Sequence, residues 1–354
     1  MERQDRSAYA EAGVDIDAAK RAMERMKAHV LSTFTPNVLS GFGSFGGLLD
    51  VSCLKRHRHP VLVASTDGVG TKVMVAEMMD RWTIGQDIVN HCVNDILTLR
   101  ALPLAFLNYI GAAKLRPEVT EKIVAEIAIA CQEVGTPITG GETAEMPGVY
   151  QEGRHDVVGC VIGIVEKSKI IDGSKITEGD LLTGLSSNGL HTNGYSLARK
   201  AFFETAGYDV NTRLEELGHT VGEELLRVHR CYLPEVILYL RDKGIEIHGI
   251  AHITGGGLID NIARLLPEGL CAKIDRRWPV PPVFRLIQGI ESVSDQEMRR
   301  VFNLGIGMVL IITPKSLRRI VHWQQEQGFD LYIPIGEIRR TCSEDENRKV
   351  IFAY

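Results

Sequence analysis

The sequence predicts an α/β (α+β) chain folded as two domains, and three observations predict it. Short apolar runs alternate with stretches of helical periodicity in both halves, the pattern left by strands and helices in turn. Residues 168–180, SKIIDGSKITEGD, are polar, glycine-dotted and weakly periodic, so they divide the chain into 1–170 and 171–354. At 354 residues, 44% hydrophobic and 24% charged, the chain can build a sizeable core in each half.

Bulk properties exclude several classes of function. The net charge of -5 gives no electrostatic case for nucleic acid or an anionic membrane, so any anion must be held by a local site. Seven cysteines (53, 92, 131, 160, 231, 271 and 342) are scattered and never in CxxC spacing, which argues against a disulfide framework or a zinc site. The start, MERQDRSAYAEAG, has no signal-peptide core, and no apolar run approaches the roughly 18 residues of a membrane span. A cytoplasmic, unanchored protein is expected.

Residues 15–31 place Ile16, Ala19, Met23, Met26 and Val30 at helical spacing, with acids first and bases later, and predict a helix with Lys27 near its end. Lys27 by itself reads as a solvated helix lysine. In the following stretch, Gly41, Gly43 and Gly46 satisfy GxGxxG, but no strand precedes them, so the dinucleotide reading lacks its context. The stretch is either a glycine flap over phosphates or a surface loop.

Residues 61–72, VLVASTDGVGTK, organise the chain. A short buried strand stops at a polar turn holding Asp67, Gly68, Thr71 and Lys72. A carboxylate at a strand end can bind a hard cation, while glycine amides, threonine and lysine serve an anion; a solvated strand-to-helix turn has the same composition. No Gly-Lys-Ser/Thr occurs, so this is not a Walker loop. Residues 83–101 put Ile84, Ile88, Val89, Cys92, Val93, Ile96 and Leu97 on one helical stripe, with Asn94 and Asp95 beside it. If that helix packs by the central strand, Asp95 meets Asp67, and two such carboxylates would hold Mg²⁺ with phosphate oxygens completing its shell.

A strand at 103–112 and an amphipathic helix at 117–135 lead to PITGGETAEMPG, residues 137–148. There a short strand, Pro137 to Thr139, delivers Glu142 to its tip, as a site-lining loop or as a plain turn before the strand at 156–167. The second half opens with a strand at 180–187, then NGLHTNGYS, and a helix capped near Asn193 or Ser196. Helices follow at 219–229 and 233–243. A strand at 246–253 then ends in Thr254, Gly255, Gly256 and Gly257 before the helix LIDNIARLL. Three glycines at a helix start present N–H groups to a phosphate. His191 and His252 stand beside the two polar turns. A long proline-interrupted connection, a strand at 305–313, a helix at 314–327 and strands near 331–338 and 349–353 complete the chain.

Taken in order, AYAEAGVDID, STDGVGTK, VNDI, GGETAEMPG, VEKSKIIDG, NGLHTNGYS, AHITGGG and FNLGIGM span nearly the whole chain. The sequence resembles the phosphoribosylformylglycinamidine cyclo-ligase, or aminoimidazole ribonucleotide synthetase, family of purine biosynthesis. The resemblance implies an N-terminal domain whose sheet joins a partner's to form a barrel in a homodimer, a C-terminal α/β domain with a glycine-rich phosphate turn, and an active site in the cleft between them. It implies that the glycine segment at 41–47, with Gly41, Gly43 and Gly46, covers the nucleotide. It also implies a reaction: ATP activates the formyl amide oxygen of formylglycinamidine ribonucleotide as an iminophosphate, and the amidine nitrogen then closes the imidazole ring as phosphate leaves. Such phosphoryl transfer needs positioning and charge neutralisation. Asp67, Asp95 and Glu142 are the expected Mg²⁺-ATP ligands, Gly68 and Thr71 nucleotide contacts, and Lys72 and Lys27 neutralisers of phosphate charge. Gly255, Gly256 and Gly257 with Asn193 would hold the substrate's ribose phosphate, and His191 or His252 would move a proton.

The sequence departs from the family's pattern at Leu99, Arg100 and Ala101, where Gln-Gly-Ala is usual, at Asn108, where aspartate is usual, and at Leu304, where cysteine is customary. Two other readings remain. One is a related ATP-dependent enzyme of the thiamine-monophosphate kinase or selenophosphate synthetase kind; Cys53 follows the glycine loop, which speaks against the latter. The other is a catalytically silent dimeric scaffold, against which stands the retention of Asp67, Lys72, Asp95, Glu142 and His252.

Overall fold

The computed structural model describes residues 13–275, 277–328, 331–341 and 349–353. The AYAEA part of the first motif and Cys342 lie outside the described residues. The chain divides into two compact units, the first running through Cys92 and including Leu102–Glu166, the second combining Val93–Ala101 with the chain from Lys167 onward. A single cut at residue 170 therefore misses one exchange, the short segment 93–101 that groups with the second unit.

In the first unit, α1 (Ile16–Ser32) starts where Asp15 accepts the N–H groups of Asp17 and Ala18. Then come β1 (Pro60–Gly68), α2 (Lys72–Met79), α3 (Ile84–Leu97), β2 (Leu102–Ala112), α4 (Pro117–Glu133), β3 (Ile138–Glu145) and β4 (His155–Glu166). The sheet order is β1-β4-β2-β3, with β4 antiparallel to both neighbours and β3 parallel to β2. One face carries the helices. A Cβ on Gly159 would stand 2.7 Å from Ile88 and 2.6 Å from Phe106, so only glycine lets α3 lie this close to the sheet. The other face is open and largely apolar: Leu62 is 63% exposed, and Ala64, Leu107, Val158, Cys160 and Ile162 share its side of the pleat.

β3 corrects the sequence reading. The GGETAE stretch is not a loop after a three-residue strand; it is strand as far as Glu145. Low β-propensity hid it, but parallel pairing with β2 supplies the hydrogen bonds, and the glycines permit the approach: a Cβ on Gly141 would lie 2.8 Å from the Asn108 carbonyl oxygen.

The second unit is built on a six-stranded sheet, β12-β9-β11-β5-β10-β8. Its strands are β5 (Leu181–Ser186), β8 (Ile247–His252), β9 (Leu270–Ile274), β10 (Ile306–Ile312), β11 (Leu331–Arg340) and β12 (Val350–Phe352), with a small hairpin, β6 (Arg213–Leu214) and β7 (His219–Thr220), outside it. Ile176, Leu182, Leu258, Ile262, Val309 and Ile338 are among the side chains of its core. β5 and β8 both run antiparallel to β10, so their C-terminal ends lie on one edge of the sheet. The two polar turns, after Ser186 and after His252, therefore issue from the same end.

The helices of this unit are α5 (Tyr195–Arg199), α6 (Val221–Leu225), α7 (Leu233–Arg241), α8 (Gly257–Ala263), α9 (Pro282–Glu291), α10 (Asp295–Val301) and α11 (Leu317–Gln327). Gly194, at φ 77, caps α5 in place of Asn193 or Ser196. The proline-interrupted connection holds two helices: Pro282 sits in the first turn of α9, where its missing N–H costs nothing, and Ser294 caps α10 by accepting the Glu297 N–H.

Candidate active site

The glycine segment closes at its neck. The Leu39 N–H donates to the Leu48 carbonyl at 2.8 Å and the Asp50 N–H to the Asn37 carbonyl at 2.7 Å. Gly47 seats the segment on β3: a Cβ there would stand 2.1 Å from the Thr139 carbonyl oxygen. Between segment, helices and sheet lies a cavity of about 250 Å³. Met23, Met26 and Val30 of α1 give it an apolar wall, Gly41, Gly43 and Gly46 part of its cover, and Asn108 and Glu142 its polar groups. Such a mixture suits a flat apolar ring with a few directing polar contacts. Lys27 is exposed on α1, adjacent in sequence to the lining residue Met26.

At the tip of β1, the Asp67 carboxylate accepts the Gly68 N–H at 2.7 Å and lies 2.8 Å from His91 Nε2, while its side chain stays 43% exposed. Thr71 follows, exposed, at the start of α2. Lys72 is different. Its ammonium is fully buried, 2.7 Å from Asp87 Oδ2. Burial pulls the Lys72 pKa down against the opposing pull of Asp87. The expectation that Lys72 neutralises phosphate is thus corrected: the side chain turns into the core between α2 and α3, where Asp87 is its counter-ion.

The sheet also fixes how far two of the expected metal ligands stand apart. Asp67 on β1 faces Gly159 on β4, Gly159 faces Asn108 on β2, and Asn108 pairs with Gly141 on β3. Asp67 and Glu142 are thus separated by three strand spacings, about 14 Å of sheet. Glu142 pairs with Tyr109, one position on from that row, and its carboxylate accepts the Thr143 N–H at 2.9 Å. The first unit does not bring these two carboxylates to one ion.

In the second unit, Asp95, His252, His229 and Thr192 form a chain of contacts. His252 Nδ1 is 2.8 Å from Asp95 Oδ1, His252 Nε2 is 3.0 Å from His229 Nε2, and His229 Nδ1 is 3.3 Å from the Thr192 hydroxyl. One proton order satisfies all three with neutral rings: Thr192 donates to His229, His229 to His252, and His252 to the carboxylate. His191 stands apart in function. It is fully buried at φ 62, stacks on His229 at 4.0 Å between centroids, and its Nε2 accepts the Asn188 N–H at 3.0 Å, so it shapes the turn after β5. Asn94 braces the same region by bonding the Arg230 carbonyl and the Tyr232 N–H.

The glycine turn after β8 is held by Asn261, whose amide donates to the carbonyls of Thr254, Gly255 and Gly257. Gly257, at φ 58, spends its N–H on Thr254, which removes it from the expected phosphate donors. The N–H groups of Gly255 and Gly256 have no such bond among the described residues. Beside them lies Asn193: its oxygen is 3.6 Å from where a Gly255 Cβ would be, and its buried amide nitrogen has no hydrogen-bond partner among the described residues. A buried unmet donor beside two open N–H groups is a place shaped for an oxyanion.

Two family models match this chain, AIR synthase related protein, N-terminal domain, over residues 49–165 and AIR synthase related protein, C-terminal domain, over residues 177–345. The chain belongs to the AIR synthase-related family. A curated relative named phosphoribosylformylglycinamidine cyclo-ligase, from a Geobacillus species, is 48% identical over 94% of this chain and 96% of its own. One of the same name from Syntrophotalea carbinolica is 46% identical over 98% of both. At this similarity the chain falls among the cyclo-ligases of the family. Solved structures share the fold at low identity: thiamine-monophosphate kinase from Stenotrophomonas maltophilia has a TM-score of 0.68 at 16% identity, covering 94% of this chain and 96% of its own. The hydrogenase maturation protein HypE of E. coli gives 0.64 at 17%, covering 95% and 93%.

Two of the positions that the sequence reading set against the family's usual pattern have definite surroundings. Asn108 lines the cavity of the first unit as an uncharged oxygen donor. Leu304 lies at φ 51 and offers its carbonyl to Trp278 Nε1 at 2.9 Å. Residue types alone gave no reason to single out His229, His91 or Asp87. His91 and Asp87 sit on an otherwise apolar helical stripe, which sequence cannot separate from a structural group, while His229 lies in the coil after α6, which ends at Leu225 and not at 229 as expected.

Proposed function

We propose that this chain closes the imidazole ring of 5-aminoimidazole ribonucleotide from formylglycinamidine ribonucleotide in de novo purine biosynthesis, with ATP converted to ADP and phosphate. The observation that carries the reading is near-full-length identity of 48% to a relative named for that ligation. The cavity under the glycine segment takes the nucleotide's base and Lys27 attends its phosphates. Gly68 and Thr71 face the phosphate chain, while Asn193, Gly255 and Gly256 hold the ribose phosphate of the substrate.

Asp67, Asp95 and Glu142 are hard oxygen donors of the kind Mg²⁺ takes. Asp67, whose side chain is 43% exposed, would serve the polyphosphate, whereas Glu142, about 14 Å away across the sheet, would reach the nucleotide from the cavity it lines. Magnesium held by these carboxylates would neutralise phosphate charge. Phosphorylation turns the formyl amide oxygen into a leaving group, and the amidine nitrogen then attacks the carbon and must lose a proton. His252, held by Asp95 on one side and His229 on the other, would take that proton.

The open apolar face of the first unit's sheet supports a homodimer in which two such faces cover each other. No helix among the described residues is long and apolar enough to cross a membrane, and the reading places the enzyme in the cytoplasm. The direct test is incubation of purified protein with formylglycinamidine ribonucleotide and Mg-ATP. Aminoimidazole ribonucleotide and ADP should form in equal amounts; a folded protein that yields neither overturns the reading in favour of a silent relative.

A further inference from the structure

At the end of α3 the chain turns through Arg100, which lies at φ 65 in the region that favours glycine. The turn is a Schellman end, with the Arg100 N–H on the Leu97 carbonyl at 2.8 Å and the Ala101 N–H on the Ile96 carbonyl at 3.1 Å. Glycine would make this turn without strain, so an arginine here calls for a reason in its side chain. The guanidinium is half-buried, and burial pulls its pKa down. It donates from Nη2 to the Leu240 carbonyl at 3.0 Å and forms no ion pair among the described residues.

That side chain lines a cavity of about 90 Å³ together with Ser168, Lys169, Asp172, Lys175 and His248. The space equals about three waters, the size of a phosphate or sulfate group. Arg100, Lys169 and Lys175 outnumber the one carboxylate, Asp172, whose Oδ1 already accepts the Ser174 N–H at 3.0 Å. Neither lysine makes a contact ion pair among the described residues and both are exposed, with Lys175 near enough to Asp172 to help lower its pKa. His248 is held by Asp180, 2.8 Å from its Nδ1. Cations gathered around a partly desolvated guanidinium repel one another unless an anion lies among them. The planar fork of arginine matches phosphate oxygens in pairs.

We propose that this cavity is a binding site for a tetrahedral oxyanion, either inorganic phosphate or the phosphate end of a monoester, separate from the residues assigned to ATP and substrate. It stands whether or not the chain is a cyclo-ligase. The full chain is titrated with inorganic phosphate by calorimetry, and hydrogen exchange over residues 167–175 is followed in parallel. Arg100→Gly suits the left-handed backbone, so the variant keeps the turn. Phosphate should slow exchange over 167–175 in the wild type, and Arg100→Gly should weaken that protection at least tenfold in phosphate concentration. Asn193→Ala, which alters the other phosphate turn, should leave it unchanged. Protection by glycerol phosphate as well identifies the monoester end; protection by inorganic phosphate alone identifies the free ion. The proposal is overturned if phosphate leaves exchange over 167–175 unaltered, if Arg100→Gly is protected at wild-type concentrations, or if acetate at equal ionic strength protects as well as phosphate.

Discussion

The proton order from Thr192 through His229 and His252 to Asp95 holds only while each member keeps its partner. Asp95→Asn puts an amide where His252 Nδ1–H needs an acceptor and can reverse the tautomer, so turnover should fall by about 10²–10⁴ with near-UV circular dichroism unchanged. His229 touches His252 and takes a positioning role. His229→Ala should lower kcat by about tenfold or more while KM stays near the wild-type value, as steady-state kinetics will show. Lys72 belongs to stability. Lys72→Met leaves Asp87 buried without its counter-ion and should cost about 3–5 kcal/mol, whereas Lys72→Met with Asp87→Leu should recover most of it, both read from urea midpoints. The sequence does show a basic residue after a polar turn. It cannot show that the first residue of α2 points inward, because burial there depends on α3, whose approach is decided by Gly159 far along the chain.

Elements with a regular apolar period were legible: α1, α3 and α4 lie where spacing placed them, within a few residues. β3 was not, since its glycines, threonines and glutamates carry no strand signal and its order comes from β2 beside it. α9 was hidden for the opposite reason, because prolines that break a helix interior also begin one, and α10, capped by Ser294, follows it in the same connection. The glycine segment depends on such an element contact. In Gly47→Ala the new methyl meets the Thr139 carbonyl, so the segment must lift from β3. KM for ATP should rise by about tenfold, a loss of roughly 1.4 kcal/mol in binding, with the melting temperature of the protein little changed. An unaltered KM would show that the segment does not cover the nucleotide.

At the scale of the molecule, the grouping of 93–101 with the second unit was not legible, because that division falls inside one continuous helix. The open face of the four-stranded sheet bears on assembly. A charge on it, as in Leu62→Glu, should turn a dimer into monomers by sedimentation, with helix content retained; a persisting dimer would place the interface elsewhere. One detail of the substrate turn reaches furthest. Asn193 keeps an amide nitrogen that is buried and has no partner among the described residues, an omission worth about 1–3 kcal/mol against the empty fold. An incoming phosphoryl oxygen removes that penalty, so the loaded chain should survive heat and proteases better than the empty one. In a growing cell, then, the supply of ribonucleotide would govern how long each copy lasts as well as how fast it works.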